Sequence, residues 1–153
     1  MKLKPNASLK SQCALVAASC AGGNLRRATR AITQFYAKIL EPCGLEPTQF
    51  TMLTACSLAE AAPISALAEA LVIDRTTLTR NFQLLEKQGF IKIARGTDRR
   101  ERIVSLSLEG QSVLAKALPL WKKAQALVLA KMGQSRLDNL LKDLAAVVEL
   151  SRA

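Results

Sequence analysis

The residues best suited to chemistry lie between Arg95 and Leu106, where arginine and charge dominate a short loop. Residues 95–102 read Arg-Gly-Thr-Asp-Arg-Arg-Glu-Arg and are followed by the β-prone run 103–106. Because the alternating run 90–94 comes directly before, the pattern predicts two short strands joined by a basic loop, that is, a β-hairpin. Four guanidinium groups make this loop a poor core element and a good contact for phosphates or the DNA minor groove.

Basic charge is a property of the whole chain as well as of this loop. The 153 residues include 22 Lys and Arg against 12 Asp and Glu, and the net charge of +10 favours polyanionic partners. Residues 1–40 carry seven basic side chains and no acidic one, and residues 74–102 carry eight basic against four acidic. In a dimer both basic zones would be doubled.

The chain contains no histidine, which excludes most familiar enzyme mechanisms. His-containing zinc sites, Ser-His-Asp and Cys-His catalysis, and the commonest general base are all removed. No constellation of carboxylates or thiols replaces them. We therefore expect a protein that is not an enzyme and that has no cofactor or metal.

Four cysteines, Cys13, Cys20, Cys43 and Cys56, lack the C-x-x-C spacing of zinc or dithiol motifs. Two turns of one helix would separate Cys13 and Cys20 by about 10.5 Å, beyond the roughly 7 Å limit for a disulfide. Pairing across a dimer, or with Cys43 at a helix junction, would make a thiol or soft-metal sensor chemically reasonable. The alternative is that these cysteines are small apolar fillers, and Cys56 is predicted to belong to the core.

We expect the protein to be cytoplasmic. Lys2, Lys4 and Lys10 precede an apolar stretch, 13–20, that is too short and too rich in small residues for a signal peptide. No run approaches the roughly 20 apolar residues of a membrane span.

The composition, with half of the residues hydrophobic and few aromatic, predicts a mainly helical single domain over residues 1–153. Apolar spacing, Pro and Gly predict helices over 24–40, 47–60, 65–71 and 74–89, a long one capped by Ser107 and a last one opened by a capping box at 135–138. Residues 11–21 are also helix-prone, and the spacing does not decide whether Gly22-Gly23 interrupts them. Pro119 predicts a kink in the long helix.

Two short helices with a tight turn at Val72-Ile73 precede the hairpin, which is the order of a winged helix-turn-helix. Ser65 and Asp74 are the predicted N-caps of these helices. A recognition helix enters the major groove with its N-terminal residues at the base edges, and wing arginines suit the narrow minor groove. The candidate DNA-binding residues are Ser65, Arg75, Thr76, Thr77, Thr79, Arg80, Arg95, Arg99, Arg100 and Arg102.

Each of these assignments has a simpler alternative. The polar face of the second helix could be an ordinary solvated surface, and in the hairpin Asp98 and Glu101 could neutralise two arginines internally. We expect Asp98 to position the wing by holding one arginine. Strand alternation predicts that Arg100 and Arg102 share one face and that Arg99 lies on the other.

From about Asn24 to the C-terminus, the chain resembles the MarR family of bacterial regulators. The matching stretches are Gly44-Leu45, Gln49-Phe50, 67–71, 84–91, 98–100, Val104, Leu106-Ser107 and Gly110. The resemblance implies a homodimer with terminal helices at the interface and two winged lobes that read a pseudo-palindromic operator. Family members commonly lose DNA affinity when a small, often aromatic, ligand binds or a cysteine is oxidised.

The chain departs from this family pattern at two positions. Glu46 stands where Ser or Thr usually caps a helix, and Gly96-Thr97 replaces the usual Pro before the wing aspartate. The first departure weakens one helix start, and the second alters the geometry of the wing tip.

Tyr36 and Trp121 are predicted either to line an effector pocket or to pack at the dimer interface.

The sequence thus predicts a mainly α protein with a small β-hairpin. The winged lobe is expected over about 45–106, and the dimerisation region over 8–40 and 107–153. The predicted function is that of a homodimeric repressor that binds double-stranded DNA and is released by a small effector. The alternatives are a regulator of the same fold that senses thiol oxidation or metalloids through Cys13, Cys20 or Cys43, and a winged helix that serves only protein interaction.

Overall fold

A computed structural model of the chain describes residues 7–98, 100–150 and 152, which are mainly helical. The helices are α1 (Ala7–Ser19), α2 (Ala21–Leu40), a 3-10 turn (Glu41–Cys43), α3 (Pro47–Ala59), α4 (Ile64–Leu71), α5 (Arg75–Lys87), α6 (Leu108–Met132) and α7 (Gln134–Glu149). The strands β1 (Ala61–Pro63), β2 (Ile91–Arg95) and β3 (Arg102–Leu106) form an antiparallel sheet in the order β1-β3-β2. The predicted fold class, mainly α with a small hairpin, is confirmed.

The chain divides into two compact units between Lys38 and Ile39. The first unit holds α1 and α2 as far as Lys38, and every described side chain of α1 is exposed. The break between the two helices lies at Cys20. Gly22-Gly23 lies inside α2 and does not interrupt this helix. In α2 the rings of Phe35 and Tyr36 pack edge to face, with centroids 5.6 Å apart.

The core of the second unit is built from the apolar faces of α3, α4 and α5, from the sheet and from the start of α6. Leu78, Phe82 and Leu85 of α5 are at most 1% exposed, so the inward face predicted for this helix is confirmed. Cys56 is 1% exposed, as predicted for a core residue, and burial raises the pKa of its thiol to about 11. Within the described residues, no helix has the length and hydropathy that a membrane span requires.

The sequence pattern does not predict strand β1, since it predicts only one helix over 47–60 and another over 65–71 in this region. The structure pairs Ala61, Ala62 and Pro63 with Ser105, Val104 and Ile103 of β3. A strand of three residues is too short to show an alternation of apolar and polar side chains in the sequence. Pro63 is tolerated in β1 because β1 is an edge strand. The strand exists because β3 offers it an unpaired edge.

Two predicted helix starts are wrong. Ser65 is not an N-cap, because α4 starts one residue earlier, at Ile64, directly after Pro63. Ser135 lies inside α7, which begins after Gly133, so the predicted capping box does not form. The chain enters α4 from Pro63, whose ring fixes φ near −60°, and enters α7 from Gly133, which has a positive φ of +80°.

Two other caps are confirmed, and one departure from the family pattern is compensated. Asp74 Oδ1 accepts the Thr77 N–H at 2.9 Å, and Ser107 Oγ accepts the Gly110 N–H at 2.9 Å. At the start of α3, Gln49 Oε1 accepts the Glu46 N–H at 3.0 Å. This bond satisfies one of the free amides of the helix N-terminus although no Ser or Thr is present.

Candidate nucleic-acid interface

A tight turn places α5 against α4, as the sequence predicted. Val72 adopts the left-handed conformation (φ 53°, ψ 44°), and its N–H donates to the Glu69 carbonyl at 3.2 Å. The Ile73 N–H then donates to the Ala68 carbonyl at 3.0 Å. A β-branched residue with positive φ is strained, so the turn keeps this geometry because the packed helices on both sides require it.

Asp74 fixes the first turn of α5. Hydrogen bonds from Thr77 hold the pKa of the Asp74 carboxyl below its usual range, and the charge of Arg80 contributes less. The carboxylate therefore stays ionised at the helix N-terminus, where a negative charge complements the helix dipole.

The predicted recognition face is presented to solvent, with one exception. Arg75, Thr76, Thr77 and Arg80 are exposed. Thr79 is half-buried, and its hydroxyl donates to the Arg75 carbonyl at 2.7 Å, so its proton is already used within the helix. The two arginines and two threonines at the start of α5 are thus the groups most available to a ligand. Ser65, on α4, is exposed as well.

The wing ends in a pair of arginines that face each other across the hairpin. Arg95 and Arg102 are both exposed and are partners in the register of β2 and β3. Beyond them the loop is closed by the Gly96 N–H, which donates to the Glu101 carbonyl at 3.1 Å. Arg100 is exposed but lies in the turn, so strand alternation, on which the predicted shared face with Arg102 depends, does not apply to it. Arg99 lies outside the described residues.

Asp98 organises the wing tip through the backbone. Its Oδ1 accepts the Arg100 N–H at 3.0 Å, and its carbonyl accepts the Glu101 N–H at 2.9 Å. These bonds close the turn. The described partner of the Asp98 side chain is therefore a backbone amide, whereas the sequence predicted an arginine side chain.

An open cleft of about 310 Å³ separates the recognition helix from the wing. Its lining residues are Ile64, Thr79, Gln83, Glu86, Ile93, Ala94, Arg95 and Arg102. Across this region Glu86 Oε1 accepts the Ile93 N–H at 3.1 Å. Sequence reasoning did not select Glu86, because an acid on the outward face of a helix looks like an ordinary solvated residue.

The base of the wing is closed by Ser107, which is 3% exposed. Its hydroxyl donates to the Gly89 carbonyl at 2.5 Å and accepts the Gly110 N–H, while its own N–H donates to the Phe90 carbonyl at 3.1 Å. The Phe90 carbonyl lies so close to Gly110 that a Cβ atom there would collide with it. The same few residues therefore end the wing and begin α6.

The predicted sensor cysteines differ in their surroundings. Cys13 and Cys20 are exposed free thiols, and Cys20 Sγ accepts the Gly23 N–H at 3.4 Å. Cys43 is half-buried, and its thiol donates to the Leu40 carbonyl at 2.9 Å. In the part of the chain that the structure describes, no group of three or more Cys, Asp or Glu residues is placed to hold a metal ion.

The two aromatic residues considered for an effector pocket, Tyr36 and Trp121, are both half-buried. Burial raises the pKa of the Tyr36 hydroxyl. These positions are compatible with either predicted role.

Comparison with known proteins identifies regulators as relatives. A family model described as "MarR family" matches residues 44–101, which span α3 to the wing tip. No curated protein matches the chain. Among solved structures, the transcriptional regulator MosR of Mycobacterium tuberculosis in complex with DNA is 36% identical, with a TM-score of 0.78, over 88% of this chain and 100% of that chain.

Two further structures contain DNA. The transcriptional repressor CouR bound to a 23-mer DNA duplex is 25% identical, with a TM-score of 0.77, over 86% of this chain and 94% of that chain. A mutant of MarR from E. coli complexed with operator DNA is 19% identical, with a TM-score of 0.78, over 87% of this chain and 97% of that chain. The last of these supports the fold.

Proposed function

This chain belongs to the MarR family of transcriptional regulators, and from that premise we propose that it is a homodimeric repressor that binds double-stranded DNA. The observation that carries the proposal is that two pairs of exposed arginines lie on one lobe. The start of α5 presents Arg75 and Arg80, and the wing presents Arg95 and Arg102 across an open cleft. An exposed basic helix beside a basic wing suits the major groove and the adjacent minor groove.

The lysines and arginines supply affinity through phosphates, and the recognition helix supplies sequence preference. The winged lobe is taken to span about 45–106, with dimerisation by residues 8–40 and 107–153. Two lobes related by a two-fold axis then read a pseudo-palindrome whose half-sites lie about one helical turn, 34–36 Å, apart. The DNA lies in the cytoplasm, where we place the protein.

A small effector releases the repressor from its operator. CouR, a structural neighbour, has also been solved with p-coumaroyl-CoA bound, and that structure is 22% identical to this chain with a TM-score of 0.74. A ligand that binds the DNA-free form better than the DNA-bound form lowers DNA affinity by its differential affinity for the two.

Thiol oxidation is a second candidate signal, favoured by the exposure of Cys13 and Cys20. A solvent-exposed thiol is open to oxidants in a way that the buried Cys56 is not. Protein interaction alone is less well supported, because the first turn of α5 holds no acid and the wing presents arginines.

The test is a gel-shift titration with the DNA that flanks the protein's own gene, in reduced and oxidised protein and at several salt concentrations. We expect affinity to fall steeply with salt, with a log-log slope of about −0.9 for each phosphate contacted. Sedimentation should give the mass of two chains. Salt-independent binding, or no preference for this DNA over a scrambled duplex, would count against the proposal. Equal DNA affinity after alkylation and after oxidation would dispose of the thiol signal.

A further inference from the structure

The outer edge of β2 has backbone amides that pair with no strand of the described sheet. In the sheet order β1-β3-β2, strand β2 lies at an edge. The Ser107 N–H donates to the Phe90 carbonyl at one end of the hairpin, and the Gly96 N–H donates to the Glu101 carbonyl at the other. Because hydrogen-bonded and non-hydrogen-bonded pairs alternate in an antiparallel ladder, the amides at 91, 93 and 95 point away from β3.

The Glu86 side chain binds the central one of these three amides. Its Oε1 accepts the Ile93 N–H at 3.1 Å and so links the last turns of α5 to the middle of β2. Among the described residues Glu86 forms no ion pair with Lys or Arg. The carboxylate is therefore directed to the backbone of the wing, although arginines lie on the same strands.

This contact joins the two parts of the candidate DNA interface. The cleft between them has Thr79 and Gln83 of α5 on one wall and Arg95 and Arg102 of the wing on the other. Glu86 belongs to the same cleft and spans its two walls. Resting on the proposed function, we propose that Glu86 is a positioning residue that sets the distance between the recognition helix and the wing arginines during operator binding.

The fold of α5 does not depend on this bond. Leu78, Phe82 and Leu85 hold the helix against the core and are at most 1% exposed, whereas Glu86 is exposed. Replacing Glu86 therefore leaves the helix packed and changes only its link to the edge strand. Such a change affects where the wing lies more than whether the protein folds.

Two variants with the same charge separate the hydrogen bond from electrostatics. Glu86→Gln and Glu86→Leu both remove one negative charge near the DNA, but only Gln keeps an oxygen that accepts the Ile93 N–H. Loss of one such bond corresponds to a roughly threefold to tenfold loss of operator affinity in E86L relative to E86Q. Affinity for non-specific DNA, measured in the same titrations, should differ less between the two variants than operator affinity does, because non-specific binding does not require a fixed distance between the helix and the wing.

A matched control lies at the same end of the helix. Gln88 Oε1 accepts a hydrogen bond from Gln49 Nε2 at 3.1 Å, which ties α5 to α3 and not to the wing. Gln88→Ala should leave operator affinity unchanged. Hydrogen exchange adds a direct readout, since the Ile93 amide should exchange faster in E86L than in E86Q or the wild type.

A double-mutant cycle tests the route of the effect. If Glu86 acts through the wing, Glu86→Leu should lower operator affinity little in a protein in which Arg95 and Arg102 are already alanine. In a protein that carries Arg80→Ala, it should lower operator affinity as much as it does in the wild type. Equal operator affinity of E86L and E86Q, with a wild type that binds the operator, would overturn the positioning role alone. A wild type that does not bind the operator would overturn the proposed function, and with it any role of Glu86 on DNA.

Discussion

The two ends of the wing are held in opposite ways. At the base, Ser107 is buried and satisfies groups on Gly89, Phe90 and Gly110 within one tight cluster. At the tip, residues 96–98 and 100–101 form a mainly exposed turn whose described side-chain bond is one from the Arg100 amide to Asp98. The base sets how the wing leaves the lobe, whereas the tip presents charge and has room to adapt to its ligand.

This difference predicts that substitutions at the base change stability and substitutions at the tip change binding. Ser107 both ends the sheet and caps α6, so a change there reaches two elements. Arg102 has no comparable packing, because it is exposed at the last pair of the ladder. Measuring both properties for every variant tests the comparison directly.

The largest effect is expected for Gly110→Ala. The added methyl collides with the Phe90 carbonyl, which is backbone and cannot move without displacing the wing. We expect the free energy of unfolding to fall by about 3 kcal/mol or more. Urea denaturation measures this loss, and Gly22→Ala is the matched control because its Cβ would lie in open space within α2. Equal stability of the two variants would show that the wing base is not tightly packed.

A smaller loss of stability is expected for Ser107→Ala. The substitution leaves the Gly110 N–H and the Gly89 carbonyl without their partner, which costs about 1–3 kcal/mol. Ser65→Ala is the control, since Ser65 is exposed and caps no helix. Thermal and urea unfolding of the two variants should differ clearly. A similar stability loss in both would contradict the assignment of Ser107 as the closing residue.

At the wing tip and on α5, the effect should move from stability to DNA. Arg80→Ala should weaken operator binding by about 1–3 kcal/mol if Arg80 contacts a base, with reduced preference over non-specific DNA. Arg102→Ala should weaken binding to all sequences and reduce the salt slope by about one if it contacts a phosphate. Both residues are exposed, so the unfolding midpoints of the two variants should match that of the wild type. A loss of stability in Arg102→Ala would remove the distinction between base and tip.

The features that the sequence predicted correctly are local ones. The inward face of α5, the Asp74 cap and the Ser107 cap each depend on residues within a few positions of one another. Helical spacing and cap chemistry act over this range, so the sequence contains the relevant information. The order of two short helices and a basic hairpin then predicted the winged lobe.

The features that it predicted wrongly, or not at all, depend on distant partners. Strand β1 forms only against β3, about 40 residues later in the chain. In the sequence, Ser65 and Ser135 look as much like N-caps as Ser107 does. In the structure, however, Pro63 and Gly133 are the N-cap residues of α4 and α7. Glu86 acquires its role from an outward-pointing amide on an edge strand, and no spacing rule identifies such a partner.

A small stability effect is also expected at Asp98, and it tests whether the tip is organised without being essential to the fold. Asp98→Asn and Asp98→Ala remove the same charge, but only Asn keeps an oxygen for the Arg100 amide. Because the turn is exposed, both variants should unfold within about 0.5 kcal/mol of the wild type. Operator affinity should nevertheless be lower for Ala than for Asn, since an unclosed turn holds its arginines less well. If Ala and Asn bind equally, the turn is held by its backbone bonds alone, and the tip needs no side chain to present its charge.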